Sequence, residues 1–197
     1  MPVIRHAIKA DLEDAADVFV DAFAGDPWFN WLYPSADQWP HHPRQWFALV
    51  LDRAFSKGHT FVAQSGAANW IPPDVHFPEE ADVNLAVQLL GSQIGDRAAD
   101  AFGVIGQAGA AFPHQPRFHC VYVGVGRDAQ RHGTGRALLT RVLDVCDRDR
   151  LPASLTSTND ANLAWYRSLG FQEIGEVAVP DATFKLRPMW RDPAIRA

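Results

Sequence analysis

The first half of the chain alternates between helix-like and strand-like patterns of apolar residues. The run VIRHA predicts a short strand, and apolar positions 12, 15, 16, 19, 22 and 23 then follow the spacing of an amphipathic helix. Asp11 fits the N-cap of this helix and Gly25 its C-terminal stop. A second helix is predicted from near Pro43 to Gly58, and TFVA and AANWI form a hairpin around QSG.

The pattern in the second half of the chain predicts a helical segment followed by alternating strands and helices. Residues 79–111 have helical character interrupted by five glycines, which predicts two imperfect helices. The run FHCVYVGV is the strongest strand pattern, and a helix over about 134–150 follows it. Next come the strand ASLTST, a short helix in NDANLAWYRSLG, and closing strands in FQEIGEVAV and TFKLRPMW. This order predicts one mixed α/β (α+β) domain over 1–197, with 79–111 as a helical insert.

Composition restricts the classes of function. The chain has 197 residues, of which 47% are hydrophobic and 21% charged, as expected for a soluble domain with a substantial core. Its net charge of −5 argues against nonspecific nucleic-acid binding, which needs a broad basic surface. The sequence has no apolar run of membrane-spanning length and no signal-peptide pattern, so we expect a cytoplasmic protein that binds no membrane. Cys120 and Cys146 lack metal-ligand spacing, and no metal site is predicted.

The segment QRHGTGR, residues 130–136, joins the strongest strand to the following helix. A Walker loop is excluded because no G-K-[ST] follows the glycines. A dinucleotide fingerprint in GVGRDA would need an acidic residue at a strand end, whereas Asp147 falls inside a helix. Two interpretations remain: a plain turn with solvated arginines, or bare backbone amides that bind a pyrophosphate, with Arg131, His132 and Arg136 adding positive charge.

Two motifs in this part of the chain resemble a known family. Gln130, Gly133 and Gly135 after a strand resemble the Q-x-x-G-x-G motif with which the GNAT superfamily of N-acetyltransferases binds acetyl-CoA. The segment NDANLAWYRSLGF resembles that family's late N-x-x-x-x-x-x-Y-x-x-x-G-F pattern. LPASL and NWIPP look most like puromycin N-acetyltransferase and its relatives. The resemblance implies a mixed, mostly antiparallel central sheet flanked by helices, with the insert before the central strand.

The resemblance also implies an activity and a cofactor site. The activity is transfer of an acetyl group from acetyl-CoA to the amine of a small molecule by direct attack in a ternary complex, with no metal. The backbone of Val123 and Val125 would pair with the pantetheine arm, and the Val125 amide would polarise the thioester carbonyl. The implied cofactor-binding residues are Val123, Val125, Gln130, Arg131, His132, Gly133, Thr134, Gly135, Arg136, Asn159 and Asn162.

The predicted catalytic residues are Tyr166 and His119. Tyr166 occupies the position where the family places the acid that protonates the leaving thiolate, and its alternative role is packing. Puromycin-type members carry a glutamate in L-E-T-S, where this chain has Thr156, which cannot act as a base. His119 is the predicted substitute, because strict alternation puts residues 119, 121, 123 and 125 on one strand face and an ordinary imidazole pKa is near ~6.5. Its alternative role is that of a core histidine.

The acceptor side is predicted from an acidic residue and three tryptophans. Asp26 is an amine anchor or water-relaying base, or else only the N-cap of the PWFNW turn. Trp28, Trp31 and Trp70 line a pocket for a flat or apolar amine beneath the 79–111 insert, or else belong to the core. Because Thr156 replaces the glutamate, a catalytically silent acyl-CoA-binding sensor or interaction domain is the alternative function. The sequence does not distinguish a monomer from a homodimer.

Overall fold

The computed structural model describes residues 2–194. Over this range the helices are α1 Leu12–Ala22, α2 Pro27–Leu32, α3 His41–Phe55, α4 Glu80–Ile94, α5 Arg97–Ala110, α6 Thr134–Asp149 and α7 Leu163–Arg167. The strands are β1 Arg5–His6, β2 His59–Ala63, β3 Gly66–Ile71, β4 Phe118–Val125, β5 Ala153–Ser157, β6 Gln172–Glu173, β7 Val177–Ala178 and β8 Lys185–Arg191. The two helices predicted in the 79–111 insert are α4 and α5.

One sheet organises the described chain. Its strand order is β1-β2-β3-β4-β5-β8-β6, and β7 pairs with the other half of β8. Every pairing is antiparallel except that of β4 with β5, which is parallel. The predicted mixed, mostly antiparallel sheet flanked by helices is confirmed.

Helices cover both faces of the sheet and enclose two apolar clusters. On one face, α1 and α3 bury Phe19, Phe47 and Leu51 completely. On the other face, α6 places Leu138 and Leu139 against strand residues of the second cluster. The apolar periodicity in the sequence predicted these faces, since each helix buries only its apolar stripe. Within residues 2–194 no helix is long and apolar enough to cross a membrane.

Three local predictions were wrong or incomplete. Asp11 occupies the N-cap position of α1, but its side chain makes no capping bond to that helix: its carboxylate accepts a hydrogen bond from the Ile8 amide at 2.7 Å in the preceding 3₁₀ turn and pairs with Arg5. The aromatic segment after Gly25 contains the helix α2, which was not predicted. The FQEIGEVAV run forms two short strands, β6 and β7, rather than one.

Candidate functional site

A gap between two central strands opens into a large cavity. Strands β4 and β5 pair only over Phe118–Cys120 and Ala153–Leu155, and then they separate. Beyond this point Val121–Val125 and Thr156–Thr158 line a cavity of about 1850 Å³. Because β4 has no partner strand along this edge, an extended ligand can pair with its free backbone groups.

A β-bulge at Val121 changes which side chains face this gap. Trp70 pairs with Cys120 and Asn69 pairs with Tyr122, so Val121 has no partner on β3. The extra residue interrupts the alternation of side chains along β4. The predicted common face of residues 119, 121, 123 and 125 is therefore wrong.

The two apolar clusters show the result of this interruption. Phe118 and Cys120, before the bulge, belong to the α6-side cluster, and Val123 and Val125, after it, pack against the same cluster. His119 instead lies edge-on to Phe112, at a ring distance of 5.5 Å. His119 is thus on the opposite side of β4 from Val123 and Val125.

The glycine turn at the start of α6 presents open backbone to the cavity. Gly133 is the N-cap with φ +87°, and a Cβ there would meet nothing within 4 Å. A Cβ on Gly135 would lie 3.4 Å from the Trp165 ring, so a large side chain has no room. The side chain of Gln130 donates to the Val125 carbonyl at 3.0 Å, which fixes the turn against β4. A helix N-terminus without side chains in the way fits a pyrophosphate.

Most of the predicted cofactor residues lie around this turn and the strand gap. Arg136 donates to the Ser168 hydroxyl at 2.7 Å, and the Asn159 side chain accepts from the Ala161 amide at 3.0 Å. The residues of the set that line the cavity are Val123, Val125, Gln130, Arg131, Gly133, Thr134, Gly135, Arg136, Asn159 and Asn162. His132 is exposed in the same turn and does not line the cavity.

Tyr166 lies in α7 and reaches the cavity from the α6 side of the sheet. It is 8% exposed, with its ring 4.9 Å from that of Trp165. Burial, and to a smaller extent the nearby Cys120 and Asp26, raise the pKa of the phenol well above its ordinary value. The phenol is therefore protonated at neutral pH, as a proton donor must be.

Asp26 is both a helix cap and part of the cavity wall. One carboxylate oxygen accepts from the amides of Trp28 at 3.0 Å and Phe29 at 3.4 Å, and so caps α2. The other accepts from the Thr158 hydroxyl at 2.7 Å, beside the end of β5. Burial raises the pKa of this carboxyl above its ordinary value, although the three hydrogen bonds oppose that shift. Both roles predicted for Asp26 are compatible with this position.

His119 lies in a small polar group at the start of β4. Its Nδ1 is 2.9 Å from the Ser154 hydroxyl, which also accepts from Nε of Arg117 at 3.0 Å. Burial, with the charge of Arg117, lowers the pKa of His119 to about 4. The imidazole is uncharged at neutral pH, and its titration lies below the ordinary histidine range used for the prediction.

Only one of the three predicted pocket tryptophans lines the cavity. Trp28 does so, whereas Trp31 stacks on it at 5.2 Å and donates to the Pro180 carbonyl at 2.9 Å. Trp70 is fully buried in the α6-side cluster. Trp46 of α3, which was not predicted as a pocket residue, lines the cavity and donates to the Tyr122 hydroxyl at 2.8 Å. Its helical spacing is equally typical of core residues, so periodicity does not identify this role.

The helical insert lies along the cavity. Helix α4 contributes Val83, Val87 and Gly91 to the wall, and α5 contributes Phe102 and Ile105, among others. Val87 and Ile105 are large apolar residues that are about 40% exposed, at 44% and 40%. The wall formed by α4 and α5 is therefore largely apolar. Among residues 2–194 no three His, Cys, Asp or Glu side chains meet as metal ligands.

Known proteins share this fold and part of this sequence. A model of the Acetyltransferase (GNAT) family matches residues 73–171. A Corynebacterium glutamicum protein named histone acetyltransferase HPA2 and related acetyltransferase is 26% identical, with a TM-score of 0.75, over 100% of this chain and 98% of its own. Arylalkylamine N-acetyltransferase 2 of Aedes aegypti has a TM-score of 0.70 at 12% identity, over 98% of this chain and 99% of its own. The structure of yncA from Salmonella typhimurium, with its cofactor acetyl-CoA, has a TM-score of 0.53 at 17% identity. The match covers 100% of this chain and 96% of yncA.

Proposed function

The chain belongs to the acetyltransferase (GNAT) family, whose enzymes use acetyl-CoA, and we propose that its acceptor is the amine of a small molecule. The observation that carries this proposal is the single cavity of about 1850 Å³, which runs from the glycine turn through the strand gap to an apolar chamber under α4 and α5. A chamber enclosed on several sides suits a small acceptor better than a folded protein surface. Both substrates meet at the gap, which favours direct attack in a ternary complex.

The cofactor is proposed to enter from the α6 side. The amides at the start of α6 would bind the pyrophosphate, and the free edge of β4 would pair with the pantetheine arm. Arg131, His132 and Arg136 would supply positive charge around it in a chain whose net charge is −5. The Val125 amide would polarise the thioester carbonyl, whose oxygen gains negative charge during attack.

Proton transfer is proposed to use the two buried groups at the gap. An amine with a lysine-like pKa of ~10.4 must lose a proton before it attacks, and the departing thiolate must gain one. Tyr166 is the proposed acid, because burial keeps its phenol protonated. For the base, Asp26 now competes with His119, because burial and the charge of Arg117 lower the pKa of His119 to about 4. Burial raises the pKa of Asp26, and its carboxylate is close enough to Tyr122 and Tyr166 to affect the pKa of both phenols. Asp26 is the proposed base on this position beside the proposed acid.

Binding of CoA to the purified full chain tests the cofactor half of the proposal. Isothermal calorimetry should detect CoA binding, and Gly135→Trp should weaken it strongly because the new ring must occupy the space beside Trp165. Gly103→Trp is the matched control, since Gly103 is exposed on α5 with nothing within 4 Å of its Cβ position. A chain that binds neither CoA nor acetyl-CoA would contradict the proposed cofactor site.

A catalytically silent acyl-CoA sensor is the second candidate, and Thr156 favours it. Thr156 lines the cavity where puromycin-type members carry a glutamate, so the usual carboxylate is missing from this point. Release of free thiol from acetyl-CoA in a screen of amines and antibiotics distinguishes the two functions. Turnover well above hydrolysis establishes the enzyme, whereas tight CoA binding without turnover establishes the sensor.

Finer assignments within the family are proposed on sequence motifs. LPASL and NWIPP support a position near the puromycin N-acetyltransferase-like members, with Thr156 as the main departure. We further propose that residues 1–197 act as one cytoplasmic acetyltransferase domain, as a monomer or homodimer. Acetylation of puromycin in the same thiol-release screen tests the subfamily assignment directly.

A further inference from the structure

Arg117 is a cavity arginine without an acidic partner among residues 2–194. It precedes β4, at the end of the cavity opposite the glycine turn, and it is half-buried. Its Nε donates to the Ser154 hydroxyl at 3.0 Å, and one terminal nitrogen reaches the Pro113 carbonyl at 3.4 Å. Its guanidinium carbon lies 5.0 Å from the Phe112 ring centre. These neutral contacts hold the guanidinium in place and leave its charge uncompensated.

Of the four other arginines that line the cavity, Arg131 and Arg136 lie at the glycine turn beside the proposed pyrophosphate site, and the remaining two are paired with acids. Arg53 donates to Asp82 at 2.6 Å, and Arg127 donates to Asp21 at 2.8 Å. A half-buried cation without a counterion is costly, because the protein replaces only part of its hydration. A guanidinium fork matches a carboxylate or a phosphate through two parallel hydrogen bonds. Arg117 offers a single positive charge, which matches a monoanionic carboxylate better than a doubly charged phosphate.

We infer that the acceptor of this enzyme carries a carboxylate, which Arg117 binds at the far end of the cavity from the thioester. The inference rests on the proposed function, since it specifies the acceptor of that site. Arg117 lies five positions before Tyr122, near which Asp26 lies. Because the bulge at Val121 takes up one of these positions, about four strand steps of about 3.3 Å give a span of about 13 Å.

The wall that α4 and α5 contribute to the cavity carries large apolar side chains. Phe102 and Ile105 lie on α5 and Val87 on α4, while the uncharged imidazole of His119 lies on β4 between the two ends. The acceptor class is therefore an amine joined through an aromatic or alkyl body to a carboxylate. An amine whose body is uncharged would leave Arg117 unpaired.

Anion binding tests this site without any acetyl transfer. Calorimetry on the full chain saturated with CoA compares phenylhexanoate with its primary amide, which has the same shape and no charge. We expect the carboxylate to bind about 10- to 100-fold more tightly, as for a hydrogen-bonded charged group. Arg117→Gln should abolish the difference and Arg117→Lys should keep part of it, because lysine retains the charge and loses the fork.

Arg141→Gln is the matched control. Arg141 also lies over an aromatic ring, that of Phe61 at 6.0 Å, but it does not line the cavity. This variant should keep the carboxylate preference in full, and CoA affinity confirms that each variant is folded. Equal affinity for the carboxylate and the amide, or a preference that persists in Arg117→Gln, overturns the inference.

A transfer experiment separates this inference from the proposed function. Thiol release is measured with aminobutylbenzoate and with its methyl ester, which carry the same amine. The acid should have a kcat/KM about 10- to 100-fold higher, and Arg117→Gln should remove that advantage. Equal turnover of acid and ester overturns the inference and leaves the enzyme established. Carboxylate binding without thiol release from any amine overturns the proposed function and leaves the Arg117 site established.

Discussion

Tyr166 and Asp26 meet at the strand gap from the two faces of the sheet. Tyr166 belongs to the α6-side cluster, whereas Asp26 caps α2 beside the aromatic cluster of α1 and α3. The two groups interact electrostatically, since the negative charge of the Asp26 carboxylate contributes to the raised pKa of the Tyr166 phenol. The proposed proton donor and proton acceptor are thus held on opposite sides of the strand gap.

Replacing Tyr166 with phenylalanine tests the proton donor. The Tyr166→Phe variant should lose about 10²–10⁴-fold in kcat, because the thiolate would depart unprotonated, while CoA affinity stays near wild type. Steady-state kinetics and CoA calorimetry check both parts. Tyr33→Phe is the matched control: Tyr33 is also a buried tyrosine, and its hydroxyl donates to Gln93 at 2.8 Å outside the cavity. A Tyr166→Phe enzyme within a factor of two of wild type would assign Tyr166 to packing.

The acidic limb of the pH profile identifies the base. A base must be unprotonated to work, so kcat/KM should fall as pH drops through its pKa. For Asp26 that limb lies above the ordinary aspartate value of about 3.9, because burial raises the pKa. For His119 it lies near a pKa of about 4, not at the 6–7 expected of an unperturbed imidazole. We expect Asp26→Asn, which keeps the helix cap, to remove the limb and slow the reaction.

Two controls accompany the pH measurement. His119→Ala should leave the limb in place, and a limb that disappears in that variant would return the base to His119. Two acceptor amines of different pKa separate the enzyme's ionisation from the acceptor's own, since only the latter moves with the acceptor. An unaltered profile in Asp26→Asn would contradict the assignment to Asp26.

Residue roles could be predicted from the sequence where a local motif carries them. Gly133 and Tyr166 follow fixed spacings, and the structure brings both to one cavity. Trp31 and Trp70 were misplaced, because apolar spacing does not distinguish a cavity wall from a core. Arg117 was missed for a related reason: an unpaired arginine is recognised only when the surrounding carboxylates are known.

The bulge is the element on which the site depends. With Val121 unpaired, β4 presents Phe118 and Val123 to the same side, although residues five positions apart on a regular strand face opposite sides. The sequence of β4 has the pattern of a regular strand, so alternation alone predicted the wrong face for His119. The gap beside β5 was equally unpredictable, because it depends on where two strands stop pairing.

Deleting Val121 tests the bulge. A β4 without this residue keeps its register with β3 and keeps Phe118, Cys120 and Val123 on the α6 side, but it loses the irregularity beside the gap. We therefore expect the deletion to change the free energy of unfolding by no more than about 2 kcal/mol and to weaken CoA binding, because a regular β4 can pair further along β5 and narrow the gap. Urea denaturation and CoA calorimetry measure the two effects. Val121→Ala keeps the bulge and should keep CoA affinity, and equal CoA affinity in the two variants would contradict a role of the extra residue in the site.

At the scale of the whole molecule, the order of elements was predictable but the way distant elements join was not. Periodicity placed α6 and β8 correctly, since each buries one regular face. It gave no sign that both short strands, β6 and β7, pair with β8. It also gave no sign that Arg191 on β8 meets Asp147 on α6 at 2.7 Å, with both side chains 8% exposed.

This buried pair joins the sheet to the helix that begins at the glycine turn. Arg191→Ala should lower the free energy of unfolding by about 3–5 kcal/mol, because it leaves the Asp147 carboxylate buried without its guanidinium. Urea denaturation again provides the measurement. The exposed pair of Arg148 with Asp149 is the control, and Arg148→Ala should change stability by no more than about 1 kcal/mol. Similar losses from both substitutions would show that burial of the pair is unimportant.

The uninterrupted cavity has a consequence for inhibition. Because the glycine turn, the strand gap and Arg117 all line the same cavity, a single covalent molecule can contact all three. When CoA and an arylalkylamine that carries a carboxylate are joined by an acetyl bridge at the amine, one molecule binds instead of two. Rotational and translational freedom is then lost once rather than twice. Such a bisubstrate conjugate should bind about 10²–10⁴-fold more tightly than CoA alone, and removing its carboxylate should forfeit part of that gain.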